Sequence, residues 1–341
     1  MLILAIETSC DDTSVAILDV EGNKNPHFKI LSNLVSSQTR IHRKYGGVYP
    51  FLAKREHQKN LPIVFEKSLK ETKNPKFDLI AVTIGPGLEP CLWVGVNFAK
   101  NLAKELKLPI IPINHIEAHI LANFLNNTKT LFPAICLIVS GGHTQLILME
   151  NIGEYKILGE TRDDAAGECF DKVARILGLE YPGGPIIAAK AAMKLKIKNE
   201  KLKIKLPRPM INQKNYDFSF SGLKTAVLYD FQSRAQKIRQ SKEYIREMAK
   251  EVQQAIIDVL ISKTLKAAKN YKAKTIILGG GVAANQELRK QFKSKVKILV
   301  PETKFCTDNA VMVGIAGYFH WLKREKYDWQ KIEANANLRL G

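Results

Sequence analysis

The chain has 341 residues, 45% of them hydrophobic, and its 52 lysines and arginines outnumber 33 aspartates and glutamates to give a formal net charge of +19. That length exceeds what one hydrophobic core usually supports and predicts two domains or lobes. No stretch approaches the roughly 18 uninterrupted apolar residues of a membrane span, and the positive excess favours a polyanionic partner, nucleic acid first, through phosphate contacts and counterion release.

The start, MLILAIETSCDD, lacks a basic leader region and turns acidic at once, so no secretory signal and a cytoplasmic location are expected. Five scattered cysteines (Cys10, Cys91, Cys136, Cys169, Cys306) contain no C-x-x-C pair, which argues against a disulfide framework and a thiolate zinc site.

In chain order, LILAI reads as a buried strand, ETSCDDT as a tight polar turn and SVAILDV as a returning strand. The run FDLIAVTIGPGL is an apolar strand ending in a Gly-Pro-Gly loop, followed by a helix through GVNFAKNLAKELKL. PIIPI is another short strand, closed by a helix that starts in NHIEAH. The pattern restarts at AICLIVSGGHTQLILME, again strand, Gly-rich turn and strand, so a duplicated two-lobe α/β fold is expected. Lys190 to Pro209 alternates lysine with apolar residues like two strands, with only Glu200 opposing eight basic residues. A solvated face and a track for a nucleic-acid backbone are both open there. Residues 232–251 read as a charged, exposed helix. KTIILGGGVAAN is a strand running into three glycines and a helix, a geometry that can present backbone N–H groups to a phosphate or nucleoside.

Within NHIEAH, His115 and His119 stand four residues apart and share one helix face, so both imidazoles can reach one metal ion. A zinc protease carries H-E-x-x-H, with its glutamate directly after the first histidine; here Glu117 lies midway and points off the histidine face. Asp308, in FCTDNAVM, is the best third ligand, with Cys306 a rival. Two imidazoles and a carboxylate suit iron, zinc or manganese. Among the acids near predicted turns (Asp11, Asp12, Asp163, Asp164, Asp171), each can be a helix cap. Asp11 and Asp12 at a hairpin tip can instead position a metal or serve as a base, and His143 can donate to a phosphate or cap its turn.

The motifs IETSCDDTSVAI, YGGVYPFLAKREH, GPGL, NHIEAH, LIVSGGHTQL, DDAAGECFDKVARILGLEYPGGP, FSFSGLKT, GGGVAAN and CTDNAVM occur in the order and spacing of the tRNA N6-adenosine threonylcarbamoyltransferase family, which the chain resembles from residue 2 to about 320. The resemblance implies an actin-like ATPase architecture of the sugar-kinase and Hsp70 type, two ribonuclease-H-like lobes around a central cleft. It implies an N-terminal lobe over 1–130 completed by a C-terminal helix over 310–335, and a second lobe over 131–309 with substrate-binding turns and a basic insert at 190–208. By motif, His115, His119 and Asp308 match the ligands of one divalent metal, iron in the family, with zinc or another divalent ion possible. Ile138, Val139, Ser140, Gly141 and Gly142 match the loop holding an activated substrate, and Asp171, Gly184 and Asn285 its nucleoside contacts. Position 12 is Asp where relatives often carry Glu, and position 188 is Ala where some carry an acidic ribose contact.

The implied reaction transfers threonylcarbamoyl from threonylcarbamoyl-AMP to N6 of the adenosine 3′ of the anticodon, with Asp11 or Asp12 assisting proton removal. The implied partners are tRNA, a dimerising paralogue (TsaB-like) and a P-loop ATPase (TsaE-like), with no membrane involved. A small-molecule kinase, a metalloprotease and a nucleic-acid-binding module are the rival classes.

Overall fold

The N-terminal run LILAIE lacks polar–apolar alternation, as a strand covered on both faces does, and Leu2–Glu7 forms β1 with five of its six residues buried. The structure, a computed structural model, describes all residues except 23–24, 127–129, 195–201, 203 and 325–326. Two compact units divide the chain: Met1–Thr130, Ile152–Tyr155 and Pro301–Gly341 form the first, Leu131–Asn151 and Lys156–Val300 the second.

In the first unit β1 pairs antiparallel with β2 (Asp12–Glu21), and β2 with β3 (His27–Ser37). On its other side β1 runs parallel to β4 (Leu79–Gly85), which runs parallel to β5 (Ile110–Asn114). Helices α1 (Thr39–His42) and α2 (Pro50–Glu71) follow β3, α3 (Glu89–Leu106) follows β4, and α4 (His115–Leu121) follows β5. Both α2 and α3 carry proline in the first turn, where the missing N–H has no helical partner to lose. Leu4, Ile6, Val15 and Ile17 of the hairpin pack with Leu61, Val64, Val96 and Ala99 of these helices in one core.

In the second unit β6 (Ala134–Val139) pairs antiparallel with β7 (Thr144–Asn151) and parallel with β9 (Thr275–Gly279), and β9 continues parallel to β10 (Ile298–Leu299). With β8 (Glu154–Glu160) the order is β10-β9-β6-β7-β8. Its helices are α5 (Ala166–Ile176), α6 (Gly183–Ala191), α7 (Ser221–Ser233), α8 (Gln236–Arg239), α9 (Lys242–Asn270) and α10 (Gln286–Lys293). The first sheet has the order β3-β2-β1-β4-β5. Both sheets thus repeat one plan, the duplicated ribonuclease-H-like arrangement of an actin-like α/β fold.

The last helix, α11 (Ala310–Leu322), returns to the first unit and packs on β1, β2 and β4. Its residues 310–319 are all buried. Glycines set that close approach: a Cβ at Gly314 would lie 2.5 Å from Leu18 Cδ1, and one at Gly317 2.6 Å from the Cβ of Ala81.

The structure differs from the sequence reading in several places. The terminal helix ends at Leu322 rather than 335, because the apolar run AVMVGIAGYFHWL gives way to charged residues with no face to bury. Residues 301–309 group with the first unit, since Ser14 Oγ accepts a hydrogen bond from Ala310 N at 2.9 Å and holds the approach to α11 on β2. Residues 232–251 are not one exposed helix: α7 stops at Ser233, α8 intervenes, and α9 buries Tyr244, Met248 and Ala249. Lys190 lies in α6, and the described residues of the following basic segment form no strand, while 195–201 and 203 lie outside the described residues.

Candidate functional site

Where β5 ends, the Asn114 side chain accepts hydrogen bonds from Ile116 N (2.8 Å) and Glu117 N (3.3 Å) and caps α4. The seven residues of α4 are all buried. Its two histidines stack edge to face, ring centroids 4.6 Å apart. Asp308, in the turn before α11, places Oδ1 3.5 Å from His115 Nε2 and 3.2 Å from His119 Nε2. One ligand atom from each of His115, His119 and Asp308 lies within 4.8 Å of the others.

Behind His115 stands Glu7, at the end of β1 and fully buried. Its Oε2 lies 3.1 Å from His115 Nδ1 and accepts from Thr83 Oγ1 at 2.6 Å, while Oε1 accepts from Ser9 N at 2.6 Å. Ser9 Oγ is 3.3 Å from the same Nδ1. Burial pushes the Glu7 carboxyl up, but the His115 charge and hydrogen bond outweigh it and hold the group below its usual range. Burial likewise opposes a charge on His115, yet Glu7 and Asp308 raise its pKa to about 10. His119 is held below its ordinary value, by burial and then by the charge of His115. The carboxylates therefore draw a proton into a place suited to a cation.

The donor set fits a divalent metal on structural grounds. His119 Nδ1 is buried without a hydrogen-bond partner, a costly state, while its buried Nε2 faces Asp308 Oδ1 at 3.2 Å, where a cation between the two would be held by both. Two imidazoles and a carboxylate leave positions open for a substrate oxygen. The Glu7 contact fixes the ring orientation of His115 as a ligand's outer partner does. Glu117 takes no part in this: it accepts from Tyr155 Oη at 2.9 Å and lies 2.8 Å from His320 Nε2. The zinc-protease arrangement is absent from the motif.

Asp11 and Asp12 occupy the β1–β2 turn. Burial pushes Asp12 up to about 7, assisted by the charges of Asp308 and Asp11, and its Oδ1 is buried without a partner. Burial and Asp308 also raise Asp11. This turn is braced by His57 of α2, whose Nδ1 lies 2.8 Å from Thr13 Oγ1 and whose Nε2 lies 2.9 Å from Cys10 O.

In the second unit, Ile138 and Val139 end β6, and Ser140, Gly141 and Gly142 make the turn to β7. Ser140 N donates to His143 O, and Gly167 N at the start of α5 donates to Ser140 O. Gly141 and Gly142 are exposed, and a Cβ on either would meet nothing within 4 Å. The β9 turn passes close by: Gly280 has φ +87°, and a Cβ there would collide with Val139 O. Asp171 on α5 accepts from Gly183 N at 2.6 Å, joining α5 to the start of α6 beside Gly184. Asn285 caps α10 through Leu288 N (3.0 Å) and donates to Gln253 Oε1 (2.9 Å). The residues matched to substrate binding thus gather at the ends of β6 and β9 and on the helices packed there.

Residues 29–315 match the family described as TsaD, tRNA N6-adenosine threonylcarbamoyltransferase. The chain is 48% identical over 347 residues to the protein of that name from Thermosipho africanus, covering 100% of both chains. It is 46% identical to that of Dictyoglomus turgidum, covering 100% of this chain and 99% of the other. The chain belongs to the tRNA N6-adenosine threonylcarbamoyltransferase family. Among solved structures, the fold matches full-length HypF in its phosphate- and nucleotide-bound form with a TM-score of 0.58 and 11% identity, over 94% of this chain and 55% of that one. It also matches component A of the (R)-2-hydroxyglutaryl-CoA dehydratase of Acidaminococcus fermentans, with a TM-score of 0.54 and 12% identity, over 95% and 98% of the two chains. Among the described residues no helix is long and apolar enough to cross a membrane.

Four residues not singled out from the sequence belong to this constellation: Glu7, Ser9, His57 and Thr83. Glu7, Ser9 and His57 lie inside the motifs IETSCDDTSVAI and YGGVYPFLAKREH, which gave no sign of their contacts, and Thr83 lies in none.

Proposed function

We propose that the protein transfers the threonylcarbamoyl group of threonylcarbamoyl-AMP to N6 of the adenosine immediately 3′ of the anticodon, in tRNAs reading codons that begin with adenine, releasing AMP. The full-length likeness to the family carries this reading, and the His115, His119 and Asp308 cluster supports it.

The chemistry accounts for the parts. The exocyclic amine of adenine is a poor nucleophile because its lone pair is delocalised into the ring, so it needs a strongly activated acyl donor. The amine attacks the carbamoyl carbon, the bond from that carbon to the phosphate oxygen breaks, AMP leaves with the electron pair, and the amine proton passes to an acceptor. Asp12, its carboxyl raised to about 7, is the acceptor best matched to neutral pH, with Asp11 beside it. A divalent metal on His115, His119 and Asp308, iron by family resemblance with zinc or another divalent ion as the alternative, supplies Lewis acidity and positive charge. Ile138 to Gly142 hold the donor, with the exposed backbone of Gly141 and Gly142 facing its phosphate. Asp171, Gly184 and Asn285 contact the nucleoside, with Asp171 bonded to Gly183 N at the start of α6 and Asn285 capping α10.

Turnover in the cytoplasm then involves tRNA, a dimerising paralogue and a P-loop ATPase. The net charge of +19 is consistent with the tRNA. The test is mass spectrometry of nucleosides from unmodified tRNA incubated with the protein, its two partners and fresh threonylcarbamoyl-AMP. Threonylcarbamoyladenosine that depends on His115, lost in His115→Ala, is the expected result. No product from the wild-type chain, while a related enzyme is active in parallel, overturns the reading.

A further inference from the structure

Between β3 and the body of α2 the chain places three large aromatic rings in solvent. Tyr45 is 52% exposed, Tyr49 56% and Phe51 66%. Tyr45 and Tyr49 stack on one another, centroids 5.9 Å apart with planes inclined by 27°, and the Lys44 ammonium lies 5.0 Å from the centre of the Tyr45 ring. From Gln38 to Arg55 the sequence holds Arg40, Arg43, Lys44, Lys54 and Arg55 and no aspartate or glutamate. Arg40, Arg43, Lys44 and Arg55 are exposed. Exposed aromatic rings set among cations of one sign are an unusual expenditure of apolar surface for a solvated loop.

This platform is held in place, and what holds it is the acidic turn of the candidate active site. Gln38 N donates to Asp11 O at 2.9 Å. Gln38 Nε2 donates to Ala53 O at 3.3 Å, Gln38 Oε1 lies 3.1 Å from His42 Nε2, and His42 Nδ1 accepts from Tyr49 N at 3.3 Å. One turn further along α2, His57 bonds Cys10 O and Thr13 Oγ1 on either side of Asp11 and Asp12. The aromatic rings are therefore preorganised on a frame continuous with that turn.

We infer that Tyr45, Tyr49 and Phe51, flanked by Arg40, Arg43 and Lys44, form a stacking platform for unpaired bases of a single-stranded RNA loop. The inference rests on the transferase reading and adds the surface that receives the loop beside the base to be modified. Stacked aromatics bind bases through their π-faces while nearby cations follow the phosphates, the usual means of gripping unpaired RNA. Charge complementarity favours RNA over a protein partner, because the exposed cations Arg40, Arg43, Lys44 and Arg55 outnumber the nearby carboxylate of Glu56 and suit a polyanion.

The test measures binding of the full-length protein to an anticodon stem-loop RNA by fluorescence anisotropy across a salt series, with a fully paired duplex of the same stem as control. The triple variant Tyr45→Ala/Tyr49→Ala/Phe51→Ala is expected to weaken stem-loop binding by about 10- to 100-fold. It should leave duplex binding and the slope of log K against log salt unchanged. Tyr45→Phe/Tyr49→Phe keeps the rings and is expected to bind like wild type. Arg40→Gln/Arg43→Gln/Lys44→Gln is expected to flatten the salt slope by about 2, at roughly 0.7 for each single-strand phosphate no longer neutralised. Wild-type affinity in the triple alanine variant overturns the proposal. So does an equal loss for the duplex, or loss of self-association or of protein-partner binding with RNA binding intact, which makes the face a protein interface. A chain that makes threonylcarbamoyladenosine with patch-insensitive RNA binding refutes the platform alone. A chain that binds the stem-loop through the patch but makes no product refutes the transferase reading alone.

Discussion

Glu7 Oε2 stands 3.1 Å from Nδ1 of His115 and 2.6 Å from the hydroxyl of Thr83, so one buried carboxylate on β1 joins helix α4 to the neighbouring strand β4. Replacing Glu7 with Gln keeps the shape and removes the charge that makes His115 basic. Metal affinity is expected to fall by about 10- to 100-fold, as when other ligating histidines are deprived of their outer partners. Competition against a chromophoric chelator measures it, and an unchanged affinity reduces Glu7 to a link between strands.

The Asp12 carboxyl is raised from 3.8 to about 7 in the folded protein, so between those values the folded state binds a proton that the unfolded chain releases. Its stabilising contribution is therefore complete below about pH 4 and lost as pH rises through about 7. Asp12→Asn should remove that decline. Urea denaturation is expected to show a gain on the order of 4 kcal/mol at about pH 8 relative to about pH 4, as a rise of the carboxyl from 3.8 to about 7 implies. A parallel loss of single-turnover transfer supports Asp12 as the proton acceptor, and full activity in the variant removes it from that role.

Two glycines in the turns after β6 and β9 should respond in opposite ways. At Gly280, with φ +87° and Val139 O in the path of a new Cβ, alanine is expected to cost about 2 to 4 kcal/mol. At Gly142, where a Cβ meets nothing within 4 Å, alanine should change stability by less than about 0.5 kcal/mol. If the turn holds the donor phosphate, Gly142→Ala nevertheless loses thermal protection by threonylcarbamoyl-AMP. Undiminished protection argues that the phosphate lies elsewhere.

Asn309 follows the third ligand directly and is itself buried. Its Oδ1 accepts from Met312 N at 3.2 Å to cap α11, and its Nδ2 donates to Thr307 O at 2.8 Å, closing the turn around Asp308. Asn309→Ala is expected to cost about 1 to 2 kcal/mol through removal of the cap. It should also weaken metal binding, because Asp308 loses its brace. Thermal melts with and without added metal separate the two effects.

The β1–β2 and β6–β7 hairpins and the strand into the GGG turn are legible because each is an apolar run broken by glycine or acids, a pattern that survives without tertiary context. The His115 and His119 pair is legible from helical spacing, and Asp308 from the acidic turn before an apolar helix. Glu7 and Thr83 are not, because a polar residue at a buried strand position gains its meaning from the neighbour opposite, and their sequence separation of 76 hides the pairing. The long helix α9 misleads because its first turns are charged and its packing begins at Tyr244.

His115 and His119 are separated in the chain from Asp308 by the whole of the second unit. A ribosome making this protein completes that unit before Asp308 is added, and the apolar helix that covers β1, β2 and β4 emerges later still. Until then the first sheet lacks its covering helix and the histidines lack their third ligand. A nascent chain that stops before Asp308 carries both histidines but cannot close the trio, so any metal capture that needs all three groups must wait until synthesis has passed that residue.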